Sequence, residues 1–127
     1  MRAPEAPRPL RLAVGAGRLA MALLLGGGGL LFLLHGRGHF ARLGLPDDGR
    51  VGLAVAEIVG AALFAFRRTA PFGAIALLLV LAWAAGLHFA IREPAGSLYL
   101  YMGVVAVLAH AEDLAAATRR ERAGAAG

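Results

Sequence analysis

The chain has 127 residues, 59% hydrophobic and 17% charged, with a mean hydropathy of +0.69 and a formal net charge of +5. A soluble globular domain is nearer half apolar and a quarter charged, and the absence of cysteine removes disulfides, thiolate metal sites and thiol redox chemistry. All 13 basic residues are arginines, set in short runs between apolar blocks with no basic stripe and no aromatic stacking platform, so nucleic acid is set aside and an anionic bilayer surface is the partner that fits.

The pattern predicts an all-α integral membrane protein, a four-helix bundle with both termini in the cytoplasm. Residues 1–11, "MRAPEAPRPLR", are proline-rich and read as a disordered tail. A bilayer core of about 30 Å needs about 20 apolar helical residues, and residues 12–34 supply the first span. This span is read as retained rather than cleaved: its apolar run is long for a secretory signal and "HGRGHF" offers no small-x-small cleavage site. It carries four consecutive glycines, Gly26, Gly27, Gly28 and Gly29. In water each would cost a helix about 0.5–1 kcal/mol relative to alanine. In lipid the backbone cannot exchange its hydrogen bonds for water, so the run stays helical, and it becomes a surface on which another helix can pack closely. His35 and His39 follow at the end of the span. Their i, i+4 spacing is that of a metal-holding pair, but "GRG" between them weakens the helix and no HExxH motif is present, so no metal site is assigned.

The second span covers residues 51–66, "VGLAVAEIVGAALFAF". Gly52, Ala56 and Gly60 are spaced by four and form a second candidate packing surface. Glu57 lies about six residues, or about 9 Å, from one end of this span. A carboxylate at that depth costs a few kcal/mol unless it is protonated or paired. The third span, residues 72–91, holds Gly73, a deep Trp83 read as a packing residue, and His88 near the end. The fourth, residues 97–117, opens with Ser97, Tyr99 and Tyr101; Tyr99 and Tyr101 also suit an interfacial aromatic belt. Pro46, Pro71 and Pro94 precede spans two, three and four, where a missing N–H costs little. Residues 118–127 are read as a C-terminal tail.

Charge sets the orientation. With the N-terminus inside, Arg2, Arg8, Arg11, Arg18, Arg67, Arg68, Arg119, Arg120 and Arg122 are cytoplasmic, against Arg37, Arg42, Arg50 and Arg92 outside. Arg18, inside span one, is expected to snorkel or to pair with Glu112 or Asp113 near His110. The same orientation sends Glu57, His88, His35, His39 and Tyr99 to the outer leaflet, where polar groups from separate helices define a candidate site. Glu57 and His88 are its expected centre. No nucleotide-binding glycine motif, nucleophile elbow or haem-attachment motif is present, and no motif identifies a cofactor.

The stretch "GGGGLLFLLHGRGHFARLGLPDDGRVGLAVAEIVGAALFAFRR", followed by an alanine- and glycine-rich third span with "GLHF", resembles the DoxX-like family of small four-span membrane proteins. The resemblance covers roughly residues 14–111 and matches that family's acidic residue of the second span to Glu57. It implies a membrane subunit of a redox system, since a few relatives pass electrons from thiosulfate to quinone or serve other redox and maturation systems. Three function classes follow: a redox-system subunit whose outer site meets a quinone-like or small anionic ligand; a non-enzymatic anchor or assembly factor for a partner protein or a second copy; and a small carrier using Glu57.

Overall fold

The computed structural model describes residues 7–125, apart from the side chains of residues 39, 112, 115, 116, 119, 120 and 122. The chain is all-α: among the described residues there are five helices and no strand. They are α1 (Arg8–His35), α2 (Arg37–Arg42), α3 (Asp47–Ala65), α4 (Ala70–Ala90) and α5 (Gly96–Ala125).

Two boundaries differ from the sequence reading. Residues 8–11 belong to α1 rather than to a tail, because Pro9 sits in the first turn, where a proline is preorganised for helix. Likewise α5 continues through residues 118–125, where three arginines, two alanines and one glutamate are good helix formers. The short α2 in the first loop was not anticipated. Gly36 separates it from α1, and Gly44, with φ +65°, turns the chain after it.

The ends of the helices are satisfied locally. Asp47 and Asp48 lie in the first turn of α3, where negative charge suits the helix dipole. The Thr69 hydroxyl donates to the Leu63 carbonyl at 2.7 Å, closing the last turn of α3. At the end of α4, Glu93 N–H donates to the His88 carbonyl (2.9 Å) and Arg92 N–H to that of Phe89 (3.1 Å). This is a Schellman ending with Arg92, at φ +56°, in the left-handed position that glycine usually fills.

The four long helices form a closed ring: α1 packs on α3, α3 on α4, α4 on α5, and α5 returns to α1. The α1–α5 seam is the thinnest of the four, and α2 lies against α1 and α3. The packed core occupies the half of the ring that holds the chain ends. Met21, Ala22 and Leu25 of α1 meet Ala61 and Phe64 of α3, Ala70, Ala74, Leu77 and Leu81 of α4, and Val105 of α5. The tightest approach is between α3 and α4. A Cβ added at Gly73 would lie 2.6 Å from the Phe64 Cα and 2.7 Å from the Leu63 carbonyl carbon, so backbone faces backbone. On the same half, Arg18 is buried and donates to the Leu108 carbonyl at 3.2 Å. The backbone carbonyl of α5 is thus one partner of Arg18; Asp113 is exposed, and the Glu112 side chain lies outside the described residues.

The outward faces are apolar. Leu23, Leu24 and Leu31 of α1, Phe72, Ile75 and Leu79 of α4, and Leu100 and Val107 of α5 are all exposed. Trp83, expected to pack, is 63% exposed and points away from the core, and Phe89 is 81% exposed. Two helices, α1 and α4, are long and apolar enough to cross a membrane; the apolar part of α5, Gly96–Ala111, is shorter. In α3, Asp47, Asp48, Arg50 and Glu57 interrupt the apolar sequence.

Candidate functional site

The other half of the ring is hollow. At the end opposite the chain termini, a partly open cavity of about 370 Å³ is lined by Gly28 and Phe32 of α1, Gly36 at its end, Phe40 of α2, Leu53 and Glu57 of α3, Val80, Leu81, Ala84, Leu87 and His88 of α4, and Leu98 of α5. Every helix contributes, and the wall is almost entirely hydrocarbon.

Glu57 is half-buried in this wall. Its carboxyl lies against the glycine run of α1: a Cβ added at Gly29 would be 3.2 Å from Oε2, and one at Gly28 would be 3.9 Å from Oε1. Side chains at these positions would take the space the carboxyl uses. The carboxyl accepts no hydrogen bond from the described residues and is placed at the cavity rather than in a polar cluster. His88 lines the same cavity, and its Nδ1 is 2.9 Å from the Ala84 carbonyl one turn back. With Nδ1–H as the donor, the ring orientation is fixed by its own helix. Glu57 and His88 therefore share a cavity without a direct hydrogen bond between them.

The remaining sequence candidates fall elsewhere. His35 is exposed on the last turn of α1 and does not line the cavity; Phe40 packs edge-on against Phe32, centroids 5.6 Å apart, and fills the inner side of that corner. The side chain of His39 lies outside the described residues. Tyr99 is exposed on the outer face of α5, and its neighbour Leu98 is the residue that reaches the cavity, since successive helical residues point about 100° apart. Among the described residues no group of three His, Cys, Asp or Glu side chains could hold a metal ion.

The glycines divide the same way. Gly26 faces the Ala61 Cβ at 3.4 Å, and Gly29 faces Ile58 and the Ala54 carbonyl as well as Glu57, so these two, three residues apart, form the close contact with α3. Gly27 meets nothing, and Gly28 meets only the carboxyl of Glu57. Four consecutive residues point in four directions, so they cannot all serve one interface. Gly60 packs on Ala76 and Leu77 of α4, whereas Gly52 is exposed with nothing near it. Each i+4 step rotates by about 40°, so Gly52 and Gly60 diverge by about 80°, and Gly52–Ala56–Gly60 is not one packing surface. A Gly29→Leu change is accordingly expected to destabilise the bundle by about 1–3 kcal/mol, and Gly27→Leu to leave it near wild type. Unfolding measurements in detergent check this; equal effects at the two positions would contradict the contact.

Sequence reasoning missed Arg50, which it counted only as a loop charge. Arg50 is 2% exposed. Its Nε and Nη2 donate to the two carboxylate oxygens of Asp47 at 2.6 and 3.1 Å. Its Nη1 donates to the carbonyls of Phe32, at 3.2 Å, and Leu33. The guanidinium thereby caps the last turn of α1, adding a second donor to the Phe32 carbonyl, which also accepts from Gly36 N–H at 2.8 Å, and serving the Leu33 carbonyl beside it; this fixes Phe32 on the cavity wall. The Arg50 hydrogen bond holds the Asp47 carboxyl below the usual carboxylate range. Arg37, 4.0 Å from Asp47, and Arg42, 3.7 Å from Glu93, join α2 to the neighbouring elements through exposed pairs that contribute little each. The i, i+3 spacing of Asp47 and Arg50 at a helix start was the one signal in the sequence.

Compared with known proteins, the chain matches no family model, no curated protein and no solved structure.

Proposed function

We propose that this chain is an integral membrane protein of DoxX-like type, spanning the bilayer four times with both termini cytoplasmic, and that its outer-leaflet cavity around Glu57 and His88 is a ligand site. The observation that carries the reading is the combination of an apolar exterior with a hollow, carboxyl-bearing interior. Large apolar side chains face outward on α1, α4 and α5, as a surface in contact with lipid requires. A soluble core helix would bury most of its surface, whereas the most apolar windows of α1 and α4 are 22% and 39% buried. The packing of α3 between α1 and α4, and of α5 against both, supports counting α3 and α5 as the other two spans of this reading. The 19 residues of α3 reach about 28 Å, with Asp47, Asp48 and Arg50 at its polar end and the apolar part from residue 51 onward available to the bilayer.

Reporter fusions at the C-terminus and at Asp47 test the topology. The C-terminal reporter is expected in the cytoplasm and the Asp47 reporter outside, and the reverse pattern would overturn the leaflet assignment of the site.

By the family resemblance, the role is that of a membrane subunit in a quinone-linked redox system. A non-enzymatic anchor or assembly factor is the alternative, and a small carrier ranks below both, because four spans are few for transport without oligomerisation. Mass spectrometry of protein purified from native membranes separates the first two. A small molecule bound to the wild type and lost in Glu57→Gln supports the ligand site. A stoichiometric protein partner with no small molecule supports the anchor.

A further inference from the structure

We infer that the ligand of this cavity is a lipophilic organic cation, an apolar body carrying an ammonium-type head that is held beside Glu57. The inference rests on the cavity being a ligand site, and not on the redox role. It follows from what the cavity can offer. Among the described residues lining it, only Glu57 and His88 carry polar side-chain atoms. His88 has its Nδ1 on the Ala84 carbonyl. Among the described residues no arginine, lysine, hydroxyl or indole N–H lines the wall, so an anionic head such as a sulfur oxyanion or a phosphate would find an acidic residue where it needs fixed donors.

The carboxyl is equally short of a partner from the chain. The nearest buried cation at this end, Arg50, is committed to Asp47 and to two carbonyls of α1, and Arg42 pairs with Glu93. No cation of the described chain is paired with Glu57. A carboxylate facing hydrocarbon is costly until a positive charge reaches it, and a bound cation supplies that charge. The same wall presents the rings of Phe32 and Phe40, 5.6 Å apart and inclined by 60°, and aromatic surfaces attract cations strongly when water is excluded. Phe32 is one helical turn beyond Gly28 and Gly29, the residues against which the carboxyl lies, so charge and aromatic surface stand on adjacent turns of α1. The volume of about 370 Å³ suits one small aromatic or branched ligand.

Calorimetric titration of the detergent-purified full chain with benzyltrimethylammonium and with neopentylbenzene, its neutral isostere, tests the assignment. The wild type is expected to bind the cation about tenfold or more tightly than the isostere. Glu57→Gln is expected to lose that preference while still binding the isostere, which also shows that the variant is folded. Isostere binding as tight as cation binding in the wild type, or an unchanged cation preference in Glu57→Gln, would overturn the cationic ligand and return the site to a neutral, quinone-like molecule. Binding of neither compound to the wild type would overturn the ligand site itself.

Discussion

Replacing Gly73 by alanine is expected to cost about 3 kcal/mol or more, or to prevent the bundle from forming. The reason is the kind of atom the new methyl would meet. At most helix contacts a neighbouring side chain can rotate away, but here the neighbours are the backbone atoms of Leu63 and Phe64, and the methyl would lie 2.6 Å from the Phe64 Cα. Relief requires α3 and α4 to separate over their whole contact, which would open the core around Phe64 and Leu77, both fully buried. Gly60 provides the comparison. A Cβ there would meet Ala76 and Leu77 side-chain atoms at 3.3 Å, which can give by a few tenths of an ångström, so Gly60→Ala should cost about 1 kcal/mol. Thermal or denaturant unfolding in detergent checks both. A Gly73→Ala protein as stable as the wild type would mean that the two helices do not approach this closely.

Arg50→Leu is expected to produce the second large loss. The leucine keeps apolar volume but leaves the Leu33 carbonyl without the guanidinium and Asp47 without its fork, while the Phe32 carbonyl keeps only the Gly36 N–H, at 2.8 Å. Unsatisfied buried carbonyls cost more than the bond itself contributed. Arg50→Lys should recover only part, because an ammonium cannot reproduce the fork to Asp47 while reaching α1. The melting temperature should fall in the order wild type, Arg50→Lys, Arg50→Leu, with Arg42→Ala near wild type as an exposed-pair control. A leucine variant that melts with the wild type would remove the clamp from the account. The pair also has a defined pH signature. The Arg50 hydrogen bond lowers the folded-state pKa of Asp47. Its contribution is therefore fully present above the unfolded carboxylate value, about pH 4, and is lost as pH falls through the depressed folded value. Asp47→Asn should lower stability at neutral pH, where the carboxylate contributes fully, and flatten the acid limb of the stability profile, so that the two proteins converge as pH falls.

This clamp bears on function because it fixes a wall of the cavity. Phe32 accepts from Arg50 through its carbonyl and meets Phe40 through its ring, so loss of the guanidinium should loosen the aromatic side of the site before it disturbs Glu57. Activity or binding changes in Arg50 variants are consequently expected through positioning.

Composition and order along the chain determined that this protein is helical, that apolar helices outnumber polar ones, and that Glu57 and His88 lie at one end of the assembly. These features are local or additive. A run of leucine and alanine forms a helix whatever its neighbours, and depth follows from counting residues at a fixed rise. The depth count also brought His35, His39 and Tyr99 to that end, but depth is only one coordinate. Which way a side chain faces depends on the rotation of its helix about its own axis, and that is set by packing. Tertiary structure put Leu98 rather than Tyr99 on the cavity, turned Trp83 outward, and left Gly26 and Gly29 as contacts while Gly27 and Gly52 face nothing. It also decided the two features with the largest expected effects. The Gly73 contact is made with residues on another helix, and Arg50 reaches carbonyls 17 and 18 positions back along the chain. No periodicity records either one, because each depends on two helices arriving at the same place.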